Sequence, residues 1–146
     1  MKSTAQRILI GTFVFFMALA AQAEGQGETK LNGHTLHYST FNSSFLEPQV
    51  ASAYKLTRSG DRGYLNVAVV ADGASSGSPA KLSGTVTNIL QQSQFLEFIE
   101  IREGDAVYYL APFRIEHEEF LTFRINAEVA GSAVPEIKFQ TKMYAD

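Results

Sequence analysis

The chain has 146 residues, with 15 acidic against 12 basic side chains and no cysteine. The absence of cysteine excludes disulfide bridges and the lipid-bearing cysteine of an anchored lipoprotein. The mild excess of acidic residues is spread along the chain. It argues against nucleic acid as a partner, because nucleic-acid-binding proteins need a basic surface.

The chain begins with the three parts of a secretory signal peptide. Two cations precede an apolar stretch at residues 8–21, and the small residues Ala21 and Ala23 stand just before Glu24. An uncleaved membrane anchor is the alternative, but this stretch is shorter than the roughly 20 residues that a spanning helix needs. We therefore predict that residues 1–23 are a signal peptide, that the protein is exported to the periplasm, and that the mature chain does not insert into a membrane.

Residues 24–146 are predicted to form a single domain, and its first element is a hairpin. Asn32-Gly33 is a strong signal for a two-residue hairpin turn. It is expected to pair Thr29–Leu31 with a strand at His34–Asn42.

The segment from Asn42 to Arg58 departs from the strand pattern, and Ser59-Gly60-Asp61-Arg62 follows it. Pro48 suits the first position of a short helix, with Tyr54 on its apolar face. Irregular connections on a rigid scaffold often carry binding groups, and arginine with tyrosine is enriched in interface hot spots. The candidate interaction surface comprises Asn42, Ser43, Tyr54, Arg58 and Arg62, whose two guanidinium groups would meet a carboxylate or a phosphate. The alternative is a structural cover over an open end of the fold, with Tyr54 packed inward and Asn42 binding backbone groups in a turn.

Period-two alternation of apolar and polar residues dominates the rest of the chain. It is strict from Ile137 to Met143, and Ala130-Gly131-Ser132-Ala133 supplies the turn of a C-terminal hairpin. Near-regular spacing of about seven strands is typical of an all-β antiparallel sandwich with one short helix. Besides His34–Asn42, the predicted main strands are Tyr64–Ala71, Lys81–Ile89, Gln94–Arg102, Ala106–Phe113, Leu121–Val129 and Ile137–Met143.

Gly73-Ala74-Ser75-Ser76-Gly77 matches the G-x-S-x-G pattern of a serine nucleophile elbow. Asp105 and His117 follow it in the order of a hydrolase triad. An elbow needs a strand before the serine and a helix after it, whereas Pro79 and another strand follow here. We therefore expect no catalytic role for Ser75, and no other residue is assigned one.

The histidines do not form a metal-ligand pattern. His34 and His37 lie three positions apart on one predicted strand, so their side chains point to opposite faces. His117 stands between carboxylates in a predicted turn, which is a weak ligand set. We expect neither a metal nor another cofactor.

Tyr108 and Tyr109 are neighbours on a predicted strand, so their rings must point to opposite faces. One ring is then expected to face solvent or a partner. The alternative is that one ring belongs to the core and the other rests on the sheet surface.

Several blocks of the chain resemble the domain of unknown function 4426 family of exported proteobacterial proteins. They cover most of residues 24–146 in the expected order, and the Phe41–Leu46 and Glu103–Tyr109 blocks are fairly specific. The resemblance implies an immunoglobulin-like sandwich, and it implies no activity. The matching blocks are YSTFNSSFLEP at 38–48, Ala51, Tyr54, Arg58-Ser59, GYLNV at 63–67, Gly84 with Asn88-Ile89-Leu90, and EGDAVYYL at 103–110.

These features favour a periplasmic, non-enzymatic binding or interaction module whose partner is a periplasmic protein or a cell-envelope ligand. A small hydrolase or glycan-modifying enzyme is one alternative, and a deep pocket with two or more titratable side chains would favour it. A chaperone-like assembly factor is another, and a long unprotected edge strand would favour it.

The first testable prediction concerns export. Protein purified from an osmotic-shock fraction should have a mass lower by residues 1–23, because the leader carries all the parts of a cleavable signal. Intact-mass spectrometry measures this directly. Recovery of the full-length chain in the membrane fraction would contradict the prediction.

Overall fold

A computed structural model describes residues 25–31 and 33–146. The predicted leader and its cleavage site at Ala21, Ala23 and Glu24 lie outside the described residues. Within these residues, no helix is long and apolar enough to cross a membrane. The elements are β1 (Gln26–Leu31), β2 (His34–Asn42), a 3-10 turn (Ser43–Phe45), α1 (Pro48–Ala53), β3 (Arg62–Ala71), β4 (Ala80–Thr87), β5 (Ser93–Leu96), β6 (Ile99–Glu103), β7 (Ala106–Arg114), β8 (Glu118–Val129), β9 (Ser132–Ala133) and β10 (Ile137–Tyr144).

The strands form two antiparallel sheets packed as a sandwich. The first sheet has the order β1-β2-β3-β7-β6, and the second has the order β10-β8-β4-β5 with the short β9 attached to β8. The first hairpin pairs Leu31 with His34, as the Asn32-Gly33 signal predicted. The predicted all-β sandwich is confirmed.

One predicted strand is in fact two. The stretch Gln94–Arg102 divides into β5, which pairs with β4 in the second sheet, and β6, which pairs with β7 in the first sheet. Leu96 points into the core between the sheets, whereas Ile101 packs on the outer side of the first sheet. No glycine or proline marks the crossing at Glu97-Phe98, so the sequence pattern did not separate the two strands.

The predicted C-terminal hairpin forms between β8 and β10. Ile137 lies opposite Ile125 and Phe139 lies opposite Phe123. The turn is tighter than predicted, because Ala130 and Gly131 both take positive φ values, of 51° and 80°, and β9 continues the pairing. One extra residue before β10 forms a bulge, which bends the edge of the second sheet.

The core between the sheets contains a column of four aromatic rings. Phe113 contacts Phe123 edge to face at 5.0 Å between centroids. Phe139 stacks on Phe123 at 4.9 Å and on Tyr38 at 4.2 Å. Since Phe113 and Tyr38 belong to the first sheet and the other two rings to the second, the column joins the two sheets.

The second prediction concerns this core. Phe123 is fully buried, so Phe123→Ala should lower the free energy of unfolding by about 3–5 kcal/mol. Lys138→Ala, on the exposed face of the neighbouring strand, should lower it by less than about 1 kcal/mol. Chemical denaturation measures both. Equal losses in the two variants would contradict the observed register.

Candidate functional site

The predicted interaction segment lies over the outer face of the first sheet. Its apolar side chains Leu46, Ala51 and Leu56 are buried and form a second hydrophobic layer with residues of β3, β6 and β7. Pro48 occupies the first turn of α1, as predicted. The residues beneath the segment are Tyr64, Ala68, Ile101, Tyr108 and Leu110.

Two of the predicted site residues make contacts that hold the segment in place. The Asn42 side-chain amide donates to the Tyr144 carbonyl oxygen at 2.6 Å, which links β2 to β10 in the other sheet. The Ser43 hydroxyl is fully buried. It donates to the Ser59 carbonyl oxygen and accepts from the Ser59 N–H, both at 2.8 Å. Both side chains thereby satisfy main-chain groups of the protein itself.

The remaining predicted site residues lie further along the segment. The Tyr54 hydroxyl donates to the Arg102 carbonyl oxygen at 2.8 Å, and burial, with a smaller contribution from Glu103, raises the pKa of this tyrosine. The exposed Arg58 donates to the Ser44 carbonyl oxygen at 3.1 Å. Arg62 begins β3, opposite Arg114.

Asp61 is the acidic residue beside these arginines. Its carboxylate accepts a hydrogen bond from the Ser59 hydroxyl at 2.7 Å. That bond is the main cause of its lowered pKa, with smaller contributions from Arg114 and Arg62. Asp61 therefore supplies a negative charge next to Arg62.

The C-terminal residues fasten the same segment from the other side. The Asp146 N–H donates to the Gly60 carbonyl oxygen at 2.8 Å, and its carboxylate accepts a hydrogen bond from the Ser44 hydroxyl. The segment is thus tied to the second sheet as well as to the first.

Tyr108 and Tyr109 point to opposite faces, but neither faces solvent. Tyr108 packs in the outer hydrophobic layer, and burial strongly raises the pKa of its hydroxyl. The Tyr109 hydroxyl accepts a hydrogen bond from the Ala80 N–H of the second sheet at 2.9 Å. The expectation of a solvent-facing ring is therefore wrong, because the segment supplies a second buried face.

The hydrolase-like pattern is not assembled into a triad. Ser75 is exposed in the loop that follows β3, and a strand rather than a helix comes next. His117 follows β7, whose last residue, Arg114, pairs with the first residue of β3. Ser75 and His117 therefore lie at opposite ends of the sandwich, roughly 30 Å apart for a ten-residue strand.

The histidines of β2 lie on opposite faces, as predicted. His37 lies on the outer face, 3.6 Å from the Glu28 carboxylate. His34 lies on the same face as the buried Leu36, toward the second sheet. No group of three or more histidine, cysteine or acidic side chains within residues 25–31 and 33–146 could hold a metal ion.

A groove that the sequence analysis missed opens between the edge strands β1 and β10. This edge groove has a volume of about 650 Å³. Tyr38 and Ile137 contribute to its floor, and Thr29 and His34 supply polar side chains. Its lining residues are Thr29, Lys30, His34, Tyr38, Val129, Ala130 and Ser132–Lys138.

The edge groove is open at one end of the two edge strands only. At the other end the Asn42 amide and the Tyr144 carbonyl oxygen bridge the sheets. Toward His34 no such bridge occurs within the described residues, and the bulge at Val134–Glu136 bends the second sheet. Pro135 beside the strand was the one sign of this groove in the sequence. The two walls come together only because the packing of the sheets places the edge strands β1 and β10 on the same side of the sandwich.

The outer face of the second sheet carries exposed aromatic rings. Phe95 on β5 is 86% exposed, and Phe120 and Tyr144 are about half exposed. The Lys142 ammonium lies 5.4 Å from the centroids of both Phe120 and Tyr144. Its hydrogen bond to Glu118 is the main cause of its raised pKa. No segment like 43–58 covers this face within the described residues.

Comparison with known proteins finds a family that matches this chain. The family described as "Domain of unknown function (DUF4426)" matches residues 28–146. No curated protein matches.

A solved structure of a DUF4426 family protein from Pseudomonas aeruginosa is 33% identical, with a TM-score of 0.76, and covers 84% of this chain and 98% of its own. Uropathogenic Escherichia coli FetP is 13% identical, with a TM-score of 0.55 and coverage of 83% and 95%. A copper-bound variant of FetP is 12% identical, with a TM-score of 0.56 and coverage of 83% and 91%. The FetP similarities show the fold alone. The family match and the Pseudomonas relative together establish that this chain belongs to the DUF4426 family.

Proposed function

We propose that the protein is a periplasmic, non-enzymatic binding protein whose ligand occupies the edge groove. The observation that carries this proposal is an open inter-sheet groove of about 650 Å³, whose lining combines apolar side chains such as Ile137 with polar ones such as His34. Ligand sites in proteins are typically concave, of roughly 300–1,000 Å³, and combine apolar surface with placed polar groups that orient the ligand.

Two polar side chains of the edge groove are available to a ligand. The His34 side chain makes no hydrogen bond or ion pair with any residue in 25–31 or 33–146, and the same holds for the Thr29 side chain. By contrast, Asn42, Ser43 and Tyr54 of the outer segment already bond to main-chain groups. The edge groove is therefore the better supported ligand site of the two surfaces.

An enzyme would need titratable groups that act together. The edge groove contains several titratable side chains, but it is an open groove and not the deep pocket that would favour an enzyme. Its histidine, glutamate and lysines form no ion pair with one another among the described residues, and Glu136 instead lies 3.9 Å from Arg124. A binding role is therefore favoured over the hydrolase alternative.

Copper is not carried over from FetP. The copper-bound FetP variant shares 12% identity with this chain, and the histidines here lie on opposite faces or at opposite ends of the sandwich. With three separated histidines and no cysteine, the chain does not bring soft donors together.

The periplasmic location is supported by two observations. The leader has the cation, apolar and small-residue parts of a secretory signal. FetP, which shares the fold, was recombinantly expressed in the periplasm of Escherichia coli. A cysteine-free sandwich needs no oxidative folding there.

The third prediction tests the edge groove with two matched positions. A photoreactive side chain placed at residue 34 should capture a discrete species in living cells, because residue 34 faces the groove. The same side chain at residue 37 should not, because it lies on the opposite face of the same strand. Mass spectrometry of the adducts measures the difference. Equal capture at both positions, or none at residue 34, would contradict the proposal.

The fourth prediction separates the edge groove from the surface predicted at Asn42, Ser43, Tyr54, Arg58 and Arg62. In the background of the residue 34 probe, Arg58→Ala with Arg62→Ala should leave both the adduct and the melting temperature nearly unchanged. Arg58 is exposed and Arg62 is half-buried, and surface arginines contribute little to stability.

Loss of the adduct at an unchanged melting temperature would assign binding to the arginine surface instead. Ser43→Ala is the structural control. It should lower the free energy of unfolding by about 1–3 kcal/mol, since it leaves both main-chain groups of Ser59 without their partner.

A further inference from the structure

We propose that the edge groove takes an extended peptide segment of a partner protein, added as a strand to β10, with apolar and acidic side chains alternating along it. This inference rests on the proposed function and names the ligand class. Addition of a strand to a sheet edge is a known mode of peptide recognition, in which main-chain hydrogen bonds supply affinity and side-chain pockets supply specificity.

Both edge strands direct main-chain hydrogen-bonding groups toward the edge groove. The Thr40 N–H donates to the Gly25 carbonyl oxygen, so alternate residues of β1, including Lys30, direct their main-chain groups away from β2. The Ala145 N–H donates to the His117 carbonyl oxygen, so Lys138 likewise directs its main chain away from β8. These two residues are the ones that line the edge groove from opposite sides.

The floor of the edge groove has an apolar part that is held in place. Tyr38 stacks on Phe139 at 4.2 Å, which fixes its ring on the floor. Ile137 is buried beside it. In a strand added to β10, every second side chain would point onto this floor, so apolar residues fit those positions.

The rim of the edge groove carries unpaired positive charge. The intervening side chains of an added strand would lie beside Lys138, on the exposed face of β10. Lys138 and Lys30 are exposed and form no ion pair with other residues in 25–31 or 33–146. Glu136 of the same rim has Arg124 as its neighbour at 3.9 Å. The rim therefore offers unpaired cations on a chain whose net charge is −3, and acidic side chains complement them.

The length of β10 suits the same role. It has eight residues, against four in β5 at the other edge of the second sheet. The bridge from Asn42 occupies only its far end, at Tyr144, so an added strand would pair with the part that begins at Ile137. Its lysines oppose pairing with a second copy of the same edge, because they would face each other. An acidic partner strand removes that repulsion, so a partner of opposite charge is favoured over self-association.

The fifth prediction uses a fluorescent ten-residue peptide of alternating valine and glutamate, with the purified periplasmic protein and anisotropy as the readout. The peptide should bind. A version N-methylated at alternate residues should bind at least about tenfold more weakly, because it loses main-chain donors. A peptide of alternating valine and lysine should also bind more weakly, since it meets like charges.

Matched lysine variants test the position. Lys138→Glu should weaken binding of the valine–glutamate peptide about three- to tenfold. Lys81→Glu should change it less than about twofold, because Lys81 lies on β4, two strands from this edge. Thermal melting of both variants checks that the fold is intact.

The outcomes separate this inference from the proposed function. Equal binding of the N-methylated peptide, or equal effects of the two lysine variants, would overturn strand addition at β10. Absence of peptide binding, together with capture from residue 34, would overturn the peptide class and leave the groove as a ligand site. Absence of both would overturn both proposals.

Discussion

Burial of β3 on both faces is the constraint on which the rest of this structure depends. Leu65, Val67 and Val69 face the second sheet, while Tyr64 and Ala68 face the outer segment. A strand buried on both sides cannot be stabilised by one sheet contact alone, because either uncovered face would expose a row of apolar side chains. The sandwich core and the outer hydrophobic layer are therefore coupled through a single strand, and the segment 43–58 belongs to the fold.

The two edges of the sandwich are closed in different ways. On one side the chain crosses from β5 to β6 at Glu97-Phe98, and the Gln94 amide bonds to both main-chain groups of Arg114. On the other side β1 and β10 are not consecutive, so no covalent connection holds them together. Contacts at Asn42 and the Tyr38–Phe139 stack join them over part of their length. The edge groove is the part that these contacts leave open.

The outer segment and the edge groove differ in whether their polar groups already have partners within the protein. Several side chains of the outer segment bond to main-chain groups and to the C-terminal residue Asp146. Around the edge groove, the His34 side chain has no such partner among the described residues, and the main-chain groups of Lys30 and Lys138 point away from the neighbouring strands. Membership in the DUF4426 family supplies the fold and no activity, so binding is inferred from this local difference in satisfied polar groups.

The sequence by itself determined most strands of the sandwich and which of their side chains share a face, because period-two alternation places every second side chain on one face. Phe123 and Phe139 occupy apolar positions of this alternation and lie in the core. The sequence did not determine the division of Gln94–Arg102 between two sheets, since alternation is a local property and the choice of partner strand is not. It also could not assign Tyr108 a buried outer face, because the covering segment lies some fifty residues earlier in the chain. The edge groove arises only when β1 and β10, from opposite ends of the described chain, become neighbouring edges, and that arrangement is decided by tertiary packing of the two sheets.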